Sequence, residues 1–257
     1  MEYVLICLVA FLASILTFFS GFGLGTILLP VFAFFFPIEV AIALTGIVHF
    51  FNNMFKLTLV GRNARKKVLF YFGVPAVIAA FLGAVLLVNL TDIPSLTSYT
   101  VFGKTYEITW VNITIGALLL AFAIMDLIPF LNRLKFEKKH LPFGGFLSGF
   151  FGGLSGHQGA LRSAFLIHAG LSKEAFIGTA VVISSFIDLT RLSVYSTQIL
   201  NIGIRENLPM ILSATVAAMI GAFIGNRLLK KITLEFIHKL VAILLIVVSL
   251  AIGLGLI

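Results

Sequence analysis

Phe11–Val60, FLASILTFFSGFGLGTILLPVFAFFFPIEVAIALTGIVHFFNNMFKLTLV, decides the fold because it occurs twice. The second copy, Phe146–Tyr195, reads FLSGFFGGLSGHQGALRSAFLIHAGLSKEAFIGTAVVISSFIDLTRLSVY and follows at a shift of 135 residues (146 − 11) without a gap. Phe11 and Leu12 fall on Phe146 and Leu147, and Ser20 and Gly21 on Ser155 and Gly156. Glu39 falls on Glu174, Ile42 on Ile177, Phe51 on Phe186, Leu57 on Leu192 and Lys56 on Arg191. Glycine-broken apolar segments at matching positions of two halves point to a transporter's binding site. A helix that breaks inside a bilayer leaves backbone groups that only protein, water or a substrate can satisfy.

Composition agrees. The chain is 60% hydrophobic and 11% charged, with a mean hydropathy of +1.13, whereas soluble domains are about 25% charged. It reads as an all-α polytopic membrane protein. The 27 Phe and 23 Gly suit lipid-facing bulk and close helix approach. The net charge of +8 gives no nucleic-acid signal, since the basic residues sit in short loops between spans. Cys7 is the one cysteine, so no internal disulfide forms. Glu2 stands where a signal peptide would be basic, so the first apolar stretch reads as a retained helix.

Apolar stretches run over 3–20, 26–36, 38–60, 68–90, 108–131, 142–156, 160–171, 174–198, 207–226 and 233–257. A full span needs about 20 residues. The short stretches at 26–36, 142–156 and 160–171 read as arms of two helical hairpins, tipped at Gly21–Gly25 and Gly156–Gly159. Three full spans follow each hairpin, and 91–107 is read as a loop. The expected organisation is a first repeat over 1–131, a basic linker over 132–141 and a second repeat over 142–257. Twelve of the eighteen Lys and Arg fall in loops near 62–67, 133–139, 173 and 227–231, all on one face if neither hairpin crosses. Positive-inside logic puts that face in the cytoplasm of a prokaryotic cell and both termini outside. An odd number of crossings per half then makes the repeat inverted, with its interface near the midplane.

Several polar residues are expected at that interface. Arg162 follows the Gly156–Gly159 break, near the start of a half-helix, where free N–H groups and the dipole favour anions; its guanidinium forks onto oxyanions. The alternative is a structural ion pair with Asp188 or Glu174. Asp188 and Arg191, three residues apart, share a helix face, and Asn53 and Lys56 are their mirror positions. Lys56 and Arg191 either flank one anion or snorkel to the interfaces. His49, Asn52 and Asn53 share a turn facing the first hairpin, and His157 and Gln158 occupy the second tip. The expected substrate-binding set is Arg162, Arg191, Asn52, Asn53, His157 and Gln158 with Gly21, Gly23, Gly25, Thr26, Gly156 and Gly159 at the breaks. Asp188, His157 and His49 are candidates for proton or ion coupling. Asp126 is a deep acid without an evident partner, Pro129 kinks its helix, and His168 and His238 read as interfacial.

The S-G-x-G-x-G run at Ser20–Gly25, the following Pro30 and the run SGFFGGLSGHQGALRSAF at Ser148–Phe165 resemble the sulfite exporter TauE/SafE family. The resemblance covers nearly the whole chain. It implies a secondary transporter for sulfur-containing anions such as sulfite, sulfoacetate or thiosulfate, working by alternating access between the two broken hairpins. His157, Gln158 and Arg162 depart from the family's glycine-rich second motif and sharpen the case for an anion. A passive anion channel and a carboxylate transporter are the nearest alternatives. Gly153-Leu154-Ser155-Gly156 with His168 also matches the G-x-S-G of intramembrane serine proteases, a remote reading because nucleophile and base must come within about 3 Å. The expected partners are a small anion and membrane lipid. No metal site, cofactor site or phosphate loop is evident in the sequence.

Overall fold

A computed structural model of the chain describes residues 2–18, 23–127, 136–201, 204–228 and 234–257. The side chains of Asp126 and of residues 197–201, 204–206, 228 and 234–241 lie outside that description. Ten helices form among the described residues: α1 Glu2–Thr17, α2 Leu24–Ala33, α3 Ile38–Val60, α4 Lys66–Thr91 and α5 Trp110–Leu127 in the first half. In the second half they are α6 Leu141–Ser155, α7 Gly159–Leu166, α8 Lys173–Asn201, α9 Ile204–Leu228 and α10 Leu234–Gly253. Helices α3, α4, α8 and α9 contain stretches long and apolar enough to cross a membrane. Phe70, Ile78, Val216, Leu212 and Ile243 stand more than half exposed on the outer surface, where a polytopic membrane protein meets lipid. Within α4 a π turn at Leu69–Gly73 precedes Pro75, whose missing N–H breaks the regular ladder.

Both glycine-rich segments break their helices. Helix α1 stops at Thr17, and α2 starts behind Gly23, whose φ of +113° favours glycine. Helix α6 ends on Gly156 at φ +82°, and α7 begins at Gly159. Gly21 lies outside the described residues. Helix α7 stops at Leu166, short of the expected 171, because a turn intervenes before the left-handed Gly170.

The most extensive helix pairs run across the halves. Helix α1 packs along α9, α6 along α4, α3 along α8 and α5 along α10; α3 also touches α9, and α4 touches α8. Exchanging the halves in order turns α1·α9 into α6·α4 and α3·α9 into α8·α4, and leaves the other two pairs unchanged. The α4–α6 contact shows how sequence sets this packing. Gly145, Gly149 and Gly153 are four residues apart, hence on one face of α6. A Cβ at each would overlap the carbonyl oxygen of Phe72, Ala76 or Ala80 on α4, so the two backbones touch, as small-residue stripes in membranes allow. Gly149→Val should therefore wedge α6 from α4 and cost about 1–3 kcal/mol or more in detergent unfolding, while the partly exposed Phe146→Val should cost less. Equal effects would mean that the close approach is unimportant.

One element departs from the expected organisation. An antiparallel hairpin of β1 Thr97–Val101 and β2 Lys104–Ile108, with Thr97 opposite Ile108, occupies the second half of 91–107, read as a loop, and the first residue of the apolar stretch 108–131. Tyr99 and Tyr106 stack across it at 5.5 Å, and the Tyr99 hydroxyl donates to the Leu254 carbonyl at 2.7 Å. The signal was a period of two in TSYTV and KTYEI around the turn at Phe102–Gly103, which an all-α reading passes over.

Candidate functional site

The buried charges collect where α3, α8 and the two hairpin breaks meet. Helix α3 brings His49, Asn53 and Lys56, and α8 brings Ser184, Asp188 and Arg191, each set spaced by three or four residues and so on one face. Asp188 is fully buried. Its Oδ2 accepts from His49 Nδ1 at 2.7 Å and Asn53 Nδ2 at 3.0 Å. Its Oδ1 accepts from Gln158 Nε2 and Arg191 Nε, each at 3.1 Å. An ionised carboxylate offers about four lone-pair sites, and all are in use.

Arg191 pairs with Asp188 through Nη2 at 2.9 Å as well, although Nη1 and Nη2 make no aligned hydrogen bond. Its guanidinium lies against two glycines: a Cβ would come within 3.3 Å of it at Gly46 and 2.6 Å at Gly156. Arg162, also buried, donates from Nη1 to Gln158 Oε1 at 2.9 Å and Ser184 Oγ at 2.6 Å. Gln158 thus bridges a cation and a carboxylate, its oxygen toward Arg162 and its amide toward Asp188.

Lys56 is only 6% exposed. Its Nζ stands 5.5 Å from the centre of the Phe18 ring and 3.3 Å from the Asn52 carbonyl oxygen, in the orientation that lets the Asn52 amide donate to Ala218 O at 3.1 Å. Among the described residues it meets no carboxylate. Removing an ammonium from water costs several kcal/mol unless an opposite charge answers it. Lys56 lines a small cavity with Thr17, Phe18, Leu24, His49, Asn53, Val181 and Ser184. That cavity has room for about one water. The two breaks meet beside it: a Cβ on Gly25 would lie 3.8 Å from both the Gly156 carbonyl oxygen and His49 Cδ2.

The profile of the sulfite exporter TauE/SafE family matches residues 6–252. The chain belongs to this family. It is a membrane transporter, and the TauE/SafE match spans both hairpins and every residue of the polar cluster. No curated protein and no solved structure matches the chain significantly.

In this TauE/SafE member the expected residues separate into three groups. Arg162, Gln158, Asp188, Arg191, His49 and Asn53 form one connected network, with Gly25 and Gly156 against it; Asn52 and Lys56 adjoin it on the α9 side. His157 turns away, its ring stacked on Phe122 of α5 at 5.9 Å and its Nδ1 3.3 Å from Ser155 O. Thr26 is half-buried on α2, Gly23 caps that helix, and Gly159 opens α7. Asp126 and His238 side chains, with Pro129, lie outside the described residues. Lys56 and Arg191 do not snorkel: both are buried, and Arg191 is held by Asp188. Glu174 is exposed at the start of α8, away from buried Arg162. Ser155 Oγ donates to Phe151 O, and the His168 ring bonds Ala164 O, so each is engaged in its own helix rather than with the other.

Sequence reasoning missed Ser184 and Thr17. Ser184 is the mirror position of His49 in the repeat (184 − 135 = 49), which would have found it; Thr17 lacked any signal beyond its place before the break.

Proposed function

We propose that this protein is a secondary transporter that exports small sulfur-containing anions such as sulfite, sulfoacetate or thiosulfate across a prokaryotic cytoplasmic membrane. The observation that carries the reading is Lys56. Its buried ammonium faces a cavity next to Ser184 and Arg162, and the nearby carboxylate, Asp188, already has its lone pairs occupied. An anion answers that charge, with Lys56 and the Ser184 hydroxyl as ligands and Arg162 reinforcing them through Ser184. Helix α2 starts at Leu24, which lines the same cavity, so the positive end of its dipole lies beside the site. Export suits the charge of the cargo, since each negative charge leaving a negative interior gains about 2.3 kcal/mol per 100 mV.

A cavity with room for about one water must widen to admit an oxyanion, which suits a carrier that opens to each side in turn. The exchangeable packing of α1–α5 with α6–α10 supports an inverted repeat whose axis passes by Asn53 and Asp188, mirror positions that touch each other. Alternating access then rocks one hairpin-bearing bundle against the other. On this reading both termini are extracytoplasmic and 132–141 is cytoplasmic. A cysteine placed at Lys138 in a Cys7→Ala background should react with an impermeant reagent only from the cytoplasmic side; labelling from outside refutes the orientation.

Thermal unfolding in detergent tests the substrate. Sulfite, sulfoacetate, thiosulfate, sulfate and small carboxylates are compared, and a true ligand at 100 times its Kd adds about 2.7 kcal/mol. Stabilisation by carboxylates alone redirects the assignment to a carboxylate transporter, and stabilisation by none of the anions removes it.

A further inference from the structure

Among the described residues that line the cavity beside Lys56, His49 carries a ring nitrogen free to accept a proton while Lys56 stays charged. Lys56 Nζ only donates, the Asn53 amide nitrogen is turned to Asp188, and Ser184 Oγ accepts from Arg162. His49 differs. Its Nδ1 stands 2.7 Å from Asp188 Oδ2, a distance that two lone pairs would not tolerate, so Nδ1 carries the hydrogen and donates. In the neutral ring the lone pair is then on Nε2. Nε2 lies on the opposite edge of the ring, has no hydrogen-bond partner among the described residues, and belongs to a side chain that lines the cavity. Asp188 is saturated by four donors and holds the tautomer in place, much as a carboxylate orients a ligating or catalytic imidazole.

We infer that His49 Nε2 is a proton site inside the anion cavity, and that this transporter binds its oxyanion together with one proton. The inference rests on the anion reading above and narrows its substrate to a weak-acid oxyanion in its monoprotonated form. A dianion binds once a proton has added to His49 Nε2, giving an imidazolium that donates to the anion. A monoprotonated oxyanion binds by donating its own O–H to the Nε2 lone pair. The two routes give a complex of the same composition, anion plus one proton. Among the described residues, the charged and titratable groups around His49 are Asp188 and Arg191 from α8, Lys56 from its own helix and Arg162 from α7 behind Ser184. The first hairpin contributes the uncharged Thr17, Phe18 and Leu24. An anion that keeps no proton at neutral pH, such as a sulfonate, must wait for His49 to be protonated and so binds more weakly as pH rises.

Isothermal titration of sulfite into the full-length, detergent-solubilised protein, repeated in two buffers of different ionisation enthalpy, counts the protons taken up. At mildly alkaline pH, where free sulfite is the dianion, about one proton should enter per sulfite bound; at mildly acidic pH, where it is the monoanion, the uptake should fall close to zero. His49→Met, which fills the space but accepts no proton, should bind the dianion without uptake and lose affinity. Sulfite binding by the wild-type protein with no proton uptake at alkaline pH overturns the inference and leaves the anion reading standing. Uptake that persists in His49→Met moves the proton to another group and overturns the assignment to His49. No binding of sulfite under any condition refutes both this inference and the sulfite assignment beneath it.

Discussion

Asp188→Ala should be the most damaging single substitution in this protein, lowering its stability by about 3–5 kcal/mol, the usual cost of breaking a buried ion pair from one side. The reason is the company Asp188 keeps. Removing its carboxylate leaves Arg191 without its counter-ion, strands the donors of His49, Asn53 and Gln158, and leaves Arg162 and Lys56 in the same buried region. Asp188→Asn keeps the shape and two acceptor positions but not the charge, and should fall between wild type and alanine. Chemical unfolding in detergent measures both. An alanine variant as stable as wild type would show that water reaches the cluster and that its charges are not desolvated.

Lys56→Met should act in the opposite way on stability and strongly on binding. Methionine fills most of the space of the lysine stem, and replacing a buried charge by an apolar group of similar volume is often neutral or stabilising. The lost hydrogen bond to a charged ligand is worth about 1.5–3 kcal/mol, so anion affinity should drop about 10- to 150-fold. Arg162→Gln should also weaken binding, with Arg162→Lys intermediate because the charge remains while the fork onto Gln158 and Ser184 is lost. Binding titrations and unfolding curves on the same preparations separate the two effects. Unchanged affinity in Lys56→Met, with loss in Arg162→Gln, would move the principal ligand from Lys56 to Arg162.

Much of this architecture is legible in the sequence because bilayers restrict what a chain can do. The glycine runs at Gly21–Gly25 and Gly156–Gly159 mark breaks, and the i, i+3 spacing of Asp188 and Arg191 foretells their pairing. What was hidden depends on contacts between distant segments. Nothing local to His49 says that its partner is Asp188, 139 residues away. Lys56 sits close enough to a helix end for a snorkelling reading, and only the packing of Phe18 and α8 around it shows that it stays inside. His157 looked like a pathway residue from its place at the tip, yet Phe122 on α5 supplies an apolar ring to stack on. The hairpin at Thr97–Ile108 follows strand periodicity outside the apolar stretches, where a search for spans does not look.

The cross-half pairing of helices has a consequence for how the protein is made. Helix α1 emerges from the ribosome 186 residues ahead of α9, the helix it packs along (204 − 18). At about 5–20 residues per second, α1 waits roughly 10–40 s before its partner exists. During that time Ala10, Ala13 and Ser14, all buried in the finished fold, lack the helix that covers them. The N-terminal half therefore has no finished state of its own, and a chain cut at the central linker is expected to be degraded unless the missing half is supplied alongside it.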